Sequence, residues 1–134
     1  MKTKVTFDTG FNIEELSLTQ IKLMESALKE QVKNVVADAK ANLQQAGKVN
    51  TGSLLKAITS KVKANENSLY AIVGIDNKYV TYNDRGEKVR PAKYAPLIEF
   101  GTKNIEPTFF LTNAANKNKN AILKALKDAA AKAL

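Results

Sequence analysis

Apolar residues in the first half of the chain recur at spacings of three and four. The stripe starts just after Ser17 and stops before Gly47, and its members are Leu18, Ile21, Met24, Leu28, Val32, Val35, Ala39, Leu43 and Ala46. This spacing predicts one long helix that ends at Gly47, a residue suited to the left-handed conformation after a helix. The stripe has two interpretations: it packs on the domain's own sheet, or part of it meets a neighbouring subunit, because the spacing is close to a coiled-coil repeat.

Alternation of apolar and polar residues predicts strands on both sides of that helix. A short strand is expected over residues 2–7, and the runs 58–63 and 69–75 are typical of a hairpin. Before this hairpin, Thr51 is placed to cap a short helix with its hydroxyl. A strand, a long helix and a hairpin in this order indicate an antiparallel sheet with a helix across it.

A second, weaker hairpin is predicted between residues 78 and 90. Its strands cover 78–82 and 87–90, and Gly86 supplies the positive φ that the turn needs. Few of its residues are apolar, and a lone two-stranded hairpin is marginally stable in water. It is therefore either an exposed contact arm or an ordinary surface loop.

The C-terminal segment, residues 112–134, is typical of an amphipathic helix. Its apolar face consists of Leu111, Ala115, Ile122, Leu126, Ala129 and Ala133. Lysines occupy the opposite face, at Lys117, Lys124, Lys127 and Lys132. We expect a helix docked on the domain with a solvated basic face, or with that face turned toward DNA or an acidic partner.

These elements together predict the α+β class. We expect an antiparallel sheet of about four strands packed against one long N-terminal helix, with a short helix and an amphipathic C-terminal helix. With 134 residues, the chain is the size of one domain with one core, so residues 1–134 are treated as a single domain.

Composition excludes several kinds of chemistry. The chain has no cysteine and no histidine, which removes disulfides, thiolate nucleophiles, the commonest general base and the usual zinc ligands. No phosphate-binding Gly-Lys-Ser/Thr loop is present. We therefore predict that the protein is not an enzyme and has neither cofactor nor metal. No apolar run is long enough to span a bilayer and the first residues lack a signal-peptide core, so we expect no membrane partner and synthesis in the cytoplasm.

The positive charge lies in the second half of the chain. Residues 1–47 hold six lysines and six acidic residues, whereas residues 48–134 hold fifteen Lys or Arg against seven Asp or Glu, which accounts for the whole net charge of +8. A basic region of this kind is typical of a nucleic-acid footprint. A basic nucleic-acid-binding protein is therefore one alternative function, and a small cytosolic adaptor module is another.

The segment from Tyr94 to Thr102 combines large apolar side chains with helix start and stop signals. Pro96 suits the first turn of a short helix, and Gly101 suits its end. Glu99 lies between apolar neighbours, and we expect it on the surface of that helix or facing a basic neighbour in an assembled ring. A buried Glu99 would need a donor, such as the Thr102 hydroxyl or the N–H groups at the next turn.

Three segments in one order carry a resemblance: Thr51 to Ile58, Tyr94 to Thr102 with its Glu-Phe-Gly-Thr ending, and Pro107 to Leu111. Over residues 45–134 they resemble the tail-component family of tailed bacteriophages typified by gene product ten of phage HK97. The resemblance implies a structural virion protein of the tail or neck that acts in head–tail joining or tail completion. It also implies a ring of about six or twelve copies, neck and tail-tube proteins as partners, and transient contact with passing DNA.

Two sets of candidate contact residues follow from that resemblance. The interaction framework comprises Tyr94, Ile98, Glu99, Phe100, Gly101, Phe109, Phe110 and Leu111. The contact arm comprises Tyr79, Tyr82, Arg85, Lys88 and Arg90. No catalytic, cofactor-binding or metal-binding residue is predicted.

Overall fold

The computed structural model describes residues 4–8, 13–47, 53–64, 69–82 and 85–132. Its helices are α1 (Leu18–Gln45), α2 (Ser53–Ala57), α3 (Pro91–Phe100) and α4 (Phe110–Lys132), with a 3-10 turn at Ile13–Glu15. Its strands are β1 (Lys4–Asp8), β2 (Ile58–Ala64), β3 (Leu69–Ile75), β4 (Thr81–Tyr82) and β5 (Lys88–Val89). The predicted α+β class is confirmed. The predicted cap at Thr51 and the end of the apolar face at Ala133 lie outside the described residues.

Helix α1 begins with a reciprocal cap. The Ser17 hydroxyl accepts a hydrogen bond from the Gln20 backbone N–H at 3.1 Å, and the Gln20 side-chain oxygen accepts one from the Ser17 N–H at 2.9 Å. At its other end Gly47 takes a φ of 71°, as predicted. The buried residues of α1 all belong to the predicted stripe: Met24, Leu28, Val32, Val35, Ala39 and Leu43. The long helix is therefore confirmed, although its first residue, Leu18, is exposed.

Helices α1 and α4 run antiparallel. Near the start of α1, the Gln20 amide donates to the Ala130 carbonyl at 3.2 Å. Near its end, the Asn42 amide donates to the Phe110 carbonyl at 3.1 Å. Helix α1 thus packs chiefly against α4 and secondarily against β2 and β3, so the predicted contact with the sheet is only part of its environment.

The main sheet has three strands in the order β1-β3-β2, all antiparallel. The predicted hairpin is its β2–β3 pair, with Val62 opposite Ala71 and Ser60 opposite Val73. Strands β4 and β5 form a separate two-stranded ribbon, so the prediction of one sheet of about four strands is wrong.

The chain leaves the sheet at Asp76. The Asp76 carboxylate accepts a hydrogen bond from the Lys78 N–H at 2.9 Å, and its carbonyl accepts one from the Tyr79 N–H at 3.3 Å. This local turn redirects the backbone after β3. The ribbon that follows therefore pairs only with itself among the described residues.

Helix α4 packs along α1 and also contacts strand β1. Its buried side chains are Phe110, Leu111, Ala114, Ala115, Asn118, Ile122, Leu126 and Ala129. The helix begins at Phe110, two residues before the predicted start. Buried Asn118 interrupts the apolar face; its amide donates to the Asp38 carboxylate of α1 at 2.7 Å and to the Ala114 carbonyl at 2.8 Å. This satisfied polar pair fixes the register between the two long helices.

Candidate interaction site

Helix α3 begins earlier than the sequence indicated. Pro91 occupies its first position, where the missing N–H costs nothing, and Pro96 lies inside the helix. The prediction that Pro96 starts the helix is therefore wrong. The end at Gly101 is confirmed, because this residue takes a φ of 77° and its N–H donates to the Leu97 carbonyl at 2.9 Å.

Gly101 is required by space as well as by its dihedral angle. A Cβ at this position would lie 2.7 Å from the Ile105 carbonyl oxygen and 2.8 Å from the Pro107 nitrogen. Both neighbours are backbone atoms, which cannot rotate out of the way. The backbone after α3 therefore passes so close to Gly101 that no side chain fits there.

A tight turn follows Gly101. The Thr102 N–H donates to the Ile105 carbonyl at 2.8 Å, and the Thr102 hydroxyl accepts from the N–H groups of Asn104 at 3.2 Å and Ile105 at 3.1 Å. The Thr102 hydroxyl thus stabilises the turn and is not the hydrogen-bond donor to the Glu99 carboxylate. Pro107 then leads the chain back toward α3.

The returning chain satisfies the open carbonyls at the end of α3. The Thr108 N–H and hydroxyl both donate to the Ile98 carbonyl, at 3.0 and 2.9 Å, and the Phe109 N–H donates to the Glu99 carbonyl at 3.0 Å. A helix end leaves such carbonyls without partners inside the helix. The two chain segments are therefore tied together over consecutive residues.

Glu99 joins the end of α3 to the beginning of α4. Its side chain is 1% exposed, and its carboxylate accepts from the Leu111 N–H at 2.9 Å, the Thr112 N–H at 3.0 Å and the Thr112 hydroxyl at 2.6 Å. A carboxylate on the free N–H groups of a helix start is stabilised by the helix dipole. The expectation of a surface Glu99 is wrong, and its donors come from the start of α4 rather than from Thr102.

Four large apolar side chains in and beside the turn after Gly101 are exposed to solvent. Leu97 is 47% exposed, Phe100 43%, Phe109 39% and Ile105 36%. Leu97 and Phe100 are neighbours on one face of α3, and the hydrogen bond from Phe109 to Glu99 brings that residue alongside them. We call these four residues the corner patch.

Phe109 has a backbone conformation that aromatic residues rarely adopt. Its φ is 48°, and its carbonyl accepts the Asn113 N–H at 2.8 Å, the first hydrogen bond of α4. Such an outlier costs free energy and persists only where its surroundings fix it. The turn holds a large apolar side chain in a strained and partly exposed position, which is typical of functional surfaces.

The predicted framework residues divide into two groups. Phe110 and Leu111 are buried in the core, Tyr94 and Ile98 are half-buried against it, and Glu99 and Gly101 brace the turn. Phe100 and Phe109 reach solvent. Sequence reasoning omitted Ile105, which had no periodic signal, and did not assign Leu97 to the contact residues, although its position three residues before Phe100 indicates a shared face.

Tyr94 is the residue of this region with an altered pKa. Burial raises the pKa of its phenol above the usual 10.0, and the nearby Tyr79 hydroxyl raises it further. The neutral phenol is therefore the favoured form in the folded protein. The interaction also places the segment before β4 close to α3.

The predicted arm residues lie on and around the ribbon. Tyr82 is 67% exposed, and Arg85, Lys88 and Arg90 are exposed, whereas Tyr79 is half-buried. Arg85 lies 3.9 Å from the Glu87 carboxylate, and both side chains are largely in solvent. Two residue pairs, Thr81 with Val89 and Tyr82 with Lys88, make up the ladder. The ribbon is thus exposed, as an arm or a surface loop would be.

A second apolar surface lies at the other end of the α1–α4 pair. It is a groove of about 350 Å³ between the start of α1 and the end of α4, and its lining residues are Leu23, Ala27, Ala125, Asp128, Ala129 and Lys132. Leu23 is 39% exposed. We call this surface the end groove. Because the helices are antiparallel, it lies at the end of the pair opposite to Phe110 and the corner patch.

These features are typical of a protein that acts by binding other macromolecules through an exposed surface. Apolar side chains presented on a braced turn are typical of an interaction surface, since monomeric proteins rarely expose such groups together. Within the described residues, no three His, Cys, Asp or Glu side chains are grouped to hold a metal ion. In the same residues, no helix combines the length and apolar character needed to cross a bilayer.

Comparison with protein families identifies the class further. The family described as "Bacteriophage HK97-gp10, putative tail-component" matches residues 8–101, more than half of the chain. This chain therefore belongs to the HK97-gp10 family of bacteriophage tail components, and the predicted family is confirmed. The match extends further toward the N-terminus than the predicted resemblance and ends at Gly101, so the Pro107 to Leu111 segment lies beyond it. No curated protein and no solved structure matches the chain significantly.

Proposed function

We propose that this tail component acts in head–tail joining or tail completion. It forms a ring of about six or twelve copies of itself and contacts neck and tail-tube proteins on either side. Its place is the tail or neck of the virion, after synthesis in the host cytoplasm, and its role is structural rather than catalytic. Membership of the tail-component family supports this proposal.

The corner patch is the observation that carries the proposal. Its apolar residues are held by hydrogen bonds from Gly101, Thr108 and Phe109, so the surface is formed before any partner arrives. A preformed surface loses little conformational entropy on binding. Repetition of the contact around a closed ring makes a modest interface sufficient, because each copy is held on two sides.

The geometry favours a head-to-tail contact between copies. A ring needs two different surfaces on each subunit, one donating and one receiving. The corner patch and the end groove are at opposite ends of the α1–α4 pair, and α1 alone has 28 residues, or about 42 Å. We propose that the corner patch of one copy packs into the end groove of the next.

Charges beside the two surfaces are compatible with that contact. The turn of the corner patch has Lys103 and Glu106, both exposed, and the end groove has Asp128 and Lys132. Each surface therefore offers one cation and one carboxylate to the other. Such pairs contribute little free energy but fix orientation.

The ribbon supplies the second proposed contact. Tyr82, Arg85, Lys88 and Arg90 are exposed on a short ladder, separate from the corner patch. We assign this arm to the neighbouring neck or tail-tube protein, because its charged and aromatic residues are typical of a polar interface rim with an aromatic anchor.

Disulfide trapping tests the head-to-tail contact. The chain has no cysteine, so the double variant Lys103→Cys with Asp128→Cys carries the only two thiols. Oxidation is expected to produce a ladder of linked oligomers that stops at the ring size. Each single variant should remain monomeric on a non-reducing gel. A dimer from Lys103→Cys alone would instead indicate a symmetric contact and contradict the proposal.

A further inference from the structure

The face of the main sheet turned away from α1 is rich in lysine. On β2, Lys61 lies opposite Ile72 and Lys63 lies opposite Tyr70 of the central strand. From the other edge, Lys4 of β1 lies opposite Gly74. Directly opposed residues of antiparallel strands point to the same face, so the three lysines share one surface.

These lysines surround a shallow depression of about 550 Å³. Lys78, from the turn after β3, completes the set, and Ile72 and Gly74 form part of the floor. Asp76 is the one carboxylate among the described lining residues, and one of its oxygens accepts the Lys78 N–H at 2.9 Å. The described residues that line this depression thus include four lysines and one carboxylate. We call this surface the basic sheet face.

The ion pairs of the described residues lie elsewhere. On the helices, Lys33 lies 3.2 Å from Glu30 and Lys117 lies 3.8 Å from Asp38. Within the part of the chain that is described, none of the four lysines of the basic sheet face takes part in an ion pair. Their charge is therefore available to an external anion.

We propose that the basic sheet face binds the phosphate backbone of duplex DNA without sequence preference. Lysines two residues apart on a strand have backbone positions about 6.8 Å apart, so the sheet holds their positive charges at a regular spacing. Phosphate contact needs only such positioned cations. An acidic protein would be expected to bind through a cluster of aromatic anchors, whereas lysines dominate the described residues that line this depression. The lysines alone carry this inference, and only its setting in a DNA-containing particle rests on the proposed function.

The number of lysines sets the expected salt dependence. Binding that neutralises up to four phosphates gives a slope of about −3.6 for the logarithm of affinity against the logarithm of salt concentration. Between about 50 mM and about 200 mM salt, the affinity should fall on the order of 100-fold. Binding is thus weak at physiological salt, which suits a surface that DNA moves past.

A matched pair of variants locates the binding surface. Lys61→Gln with Lys63→Gln removes two charges from the sheet face, and Lys124→Gln with Lys127→Gln removes two from the exposed face of α4. Fluorescence anisotropy of a labelled duplex of random sequence gives affinity and salt slope for each. We expect the sheet variant to bind about tenfold more weakly at about 50 mM salt and to lose about two units of slope, and the α4 variant to match the wild type.

Three results would overturn this inference. Equal weakening by both variants would mean that net charge alone is responsible, and absence of wild-type binding at low salt would remove the site. Binding of poly-glutamate without binding of duplex DNA would assign the surface to an acidic protein. Circular dichroism of each variant excludes unfolding as the cause. Ring formation by a wild-type protein that does not bind DNA would overturn this inference alone and leave the proposed function standing.

Discussion

The corner at residues 97–111 and the ribbon at residues 78–90 both expose aromatic side chains, but the two backbones are held very differently. At the corner, Glu99 and the returning chain make hydrogen bonds to backbone groups over consecutive residues. Among the described residues of the ribbon, two residue pairs form the strand ladder, and Arg85 lies 3.9 Å from the Glu87 carboxylate in solvent. The corner is thus preorganised for a repeated contact, whereas the ribbon can adapt to a partner.

Two glycines with the same backbone angle offer the strongest test of that difference. Gly101 has a φ of 77° and no room for a Cβ, while Gly86 of the ribbon has a φ of 76° and nothing within 4 Å of a Cβ. Gly101→Ala should lower the free energy of unfolding by about 3 kcal/mol, because backbone atoms must move as well. Gly86→Ala should cost about 1 kcal/mol from the dihedral angle alone. Urea denaturation measures both, and equal losses would show that crowding at the corner does not matter.

The Glu99 carboxylate gives the next largest effect. Glu99→Gln keeps the shape but turns an NH₂ group toward backbone N–H donors of α4 and removes a charge from the helix start. We expect a loss of about 2 kcal/mol in the free energy of unfolding. Glu106→Gln, a matched change at an exposed site of the same turn, should change it by less than about 0.5 kcal/mol. Equal stability of the two variants would show that the hydrogen bonds of the Glu99 carboxylate to the start of α4 do not stabilise the fold.

Shortening the ribbon should separate stability from assembly. Thr81 and Val89 are paired, so residues 82–88 can be replaced by Asn-Gly, which forms a two-residue hairpin turn. The free energy of unfolding should change by less than about 1 kcal/mol, because the ribbon lies outside the main sheet. Particle assembly should fail, since the proposed partner contact is removed. Normal assembly with the shortened ribbon would exclude an arm function.

The smallest expected effect is a pH dependence at Tyr94. Burial, with a contribution from Tyr79, raises its pKa in the folded state above 10.0. The protonated phenol therefore stabilises the fold at pH values below the unfolded pKa, and this contribution is lost as the pH rises through the folded pKa. Tyr94→Phe should flatten the decline in stability above about pH 10. An unchanged alkaline profile in thermal unfolding would contradict this assignment.

Local patterns predicted the elements of this fold well. The α1 stripe, the β2–β3 hairpin and the end of α3 at Gly101 all depend on neighbours a few residues away. The strand count failed because Asp76 redirects the chain, which periodicity does not register. Helices and strands can therefore be predicted from the sequence where residues a few positions apart determine them.

The features that the sequence did not predict depend on contacts between residues far apart in the chain. Glu99 was expected at the surface because a helical pattern around it cannot reveal that the start of α4 returns to it. The end groove was unforeseen, since it exists only where α1 and α4 meet. Ile105 joined the site for the same reason, because the turn after α3 brings its backbone back to Gly101.

Molar mass by light scattering, from micromolar to near-millimolar protein, tests the proposed self-assembly most directly. The wild type should form a discrete species of about six or twelve copies. Phe100→Ser with Phe109→Asn should remain monomeric, because it removes half of the corner patch while Asn tolerates the positive φ. Tyr82→Ser, which alters the ribbon instead, should assemble like the wild type. A wild-type protein that stays monomeric throughout, or a corner variant that still forms the ring, would contradict the account.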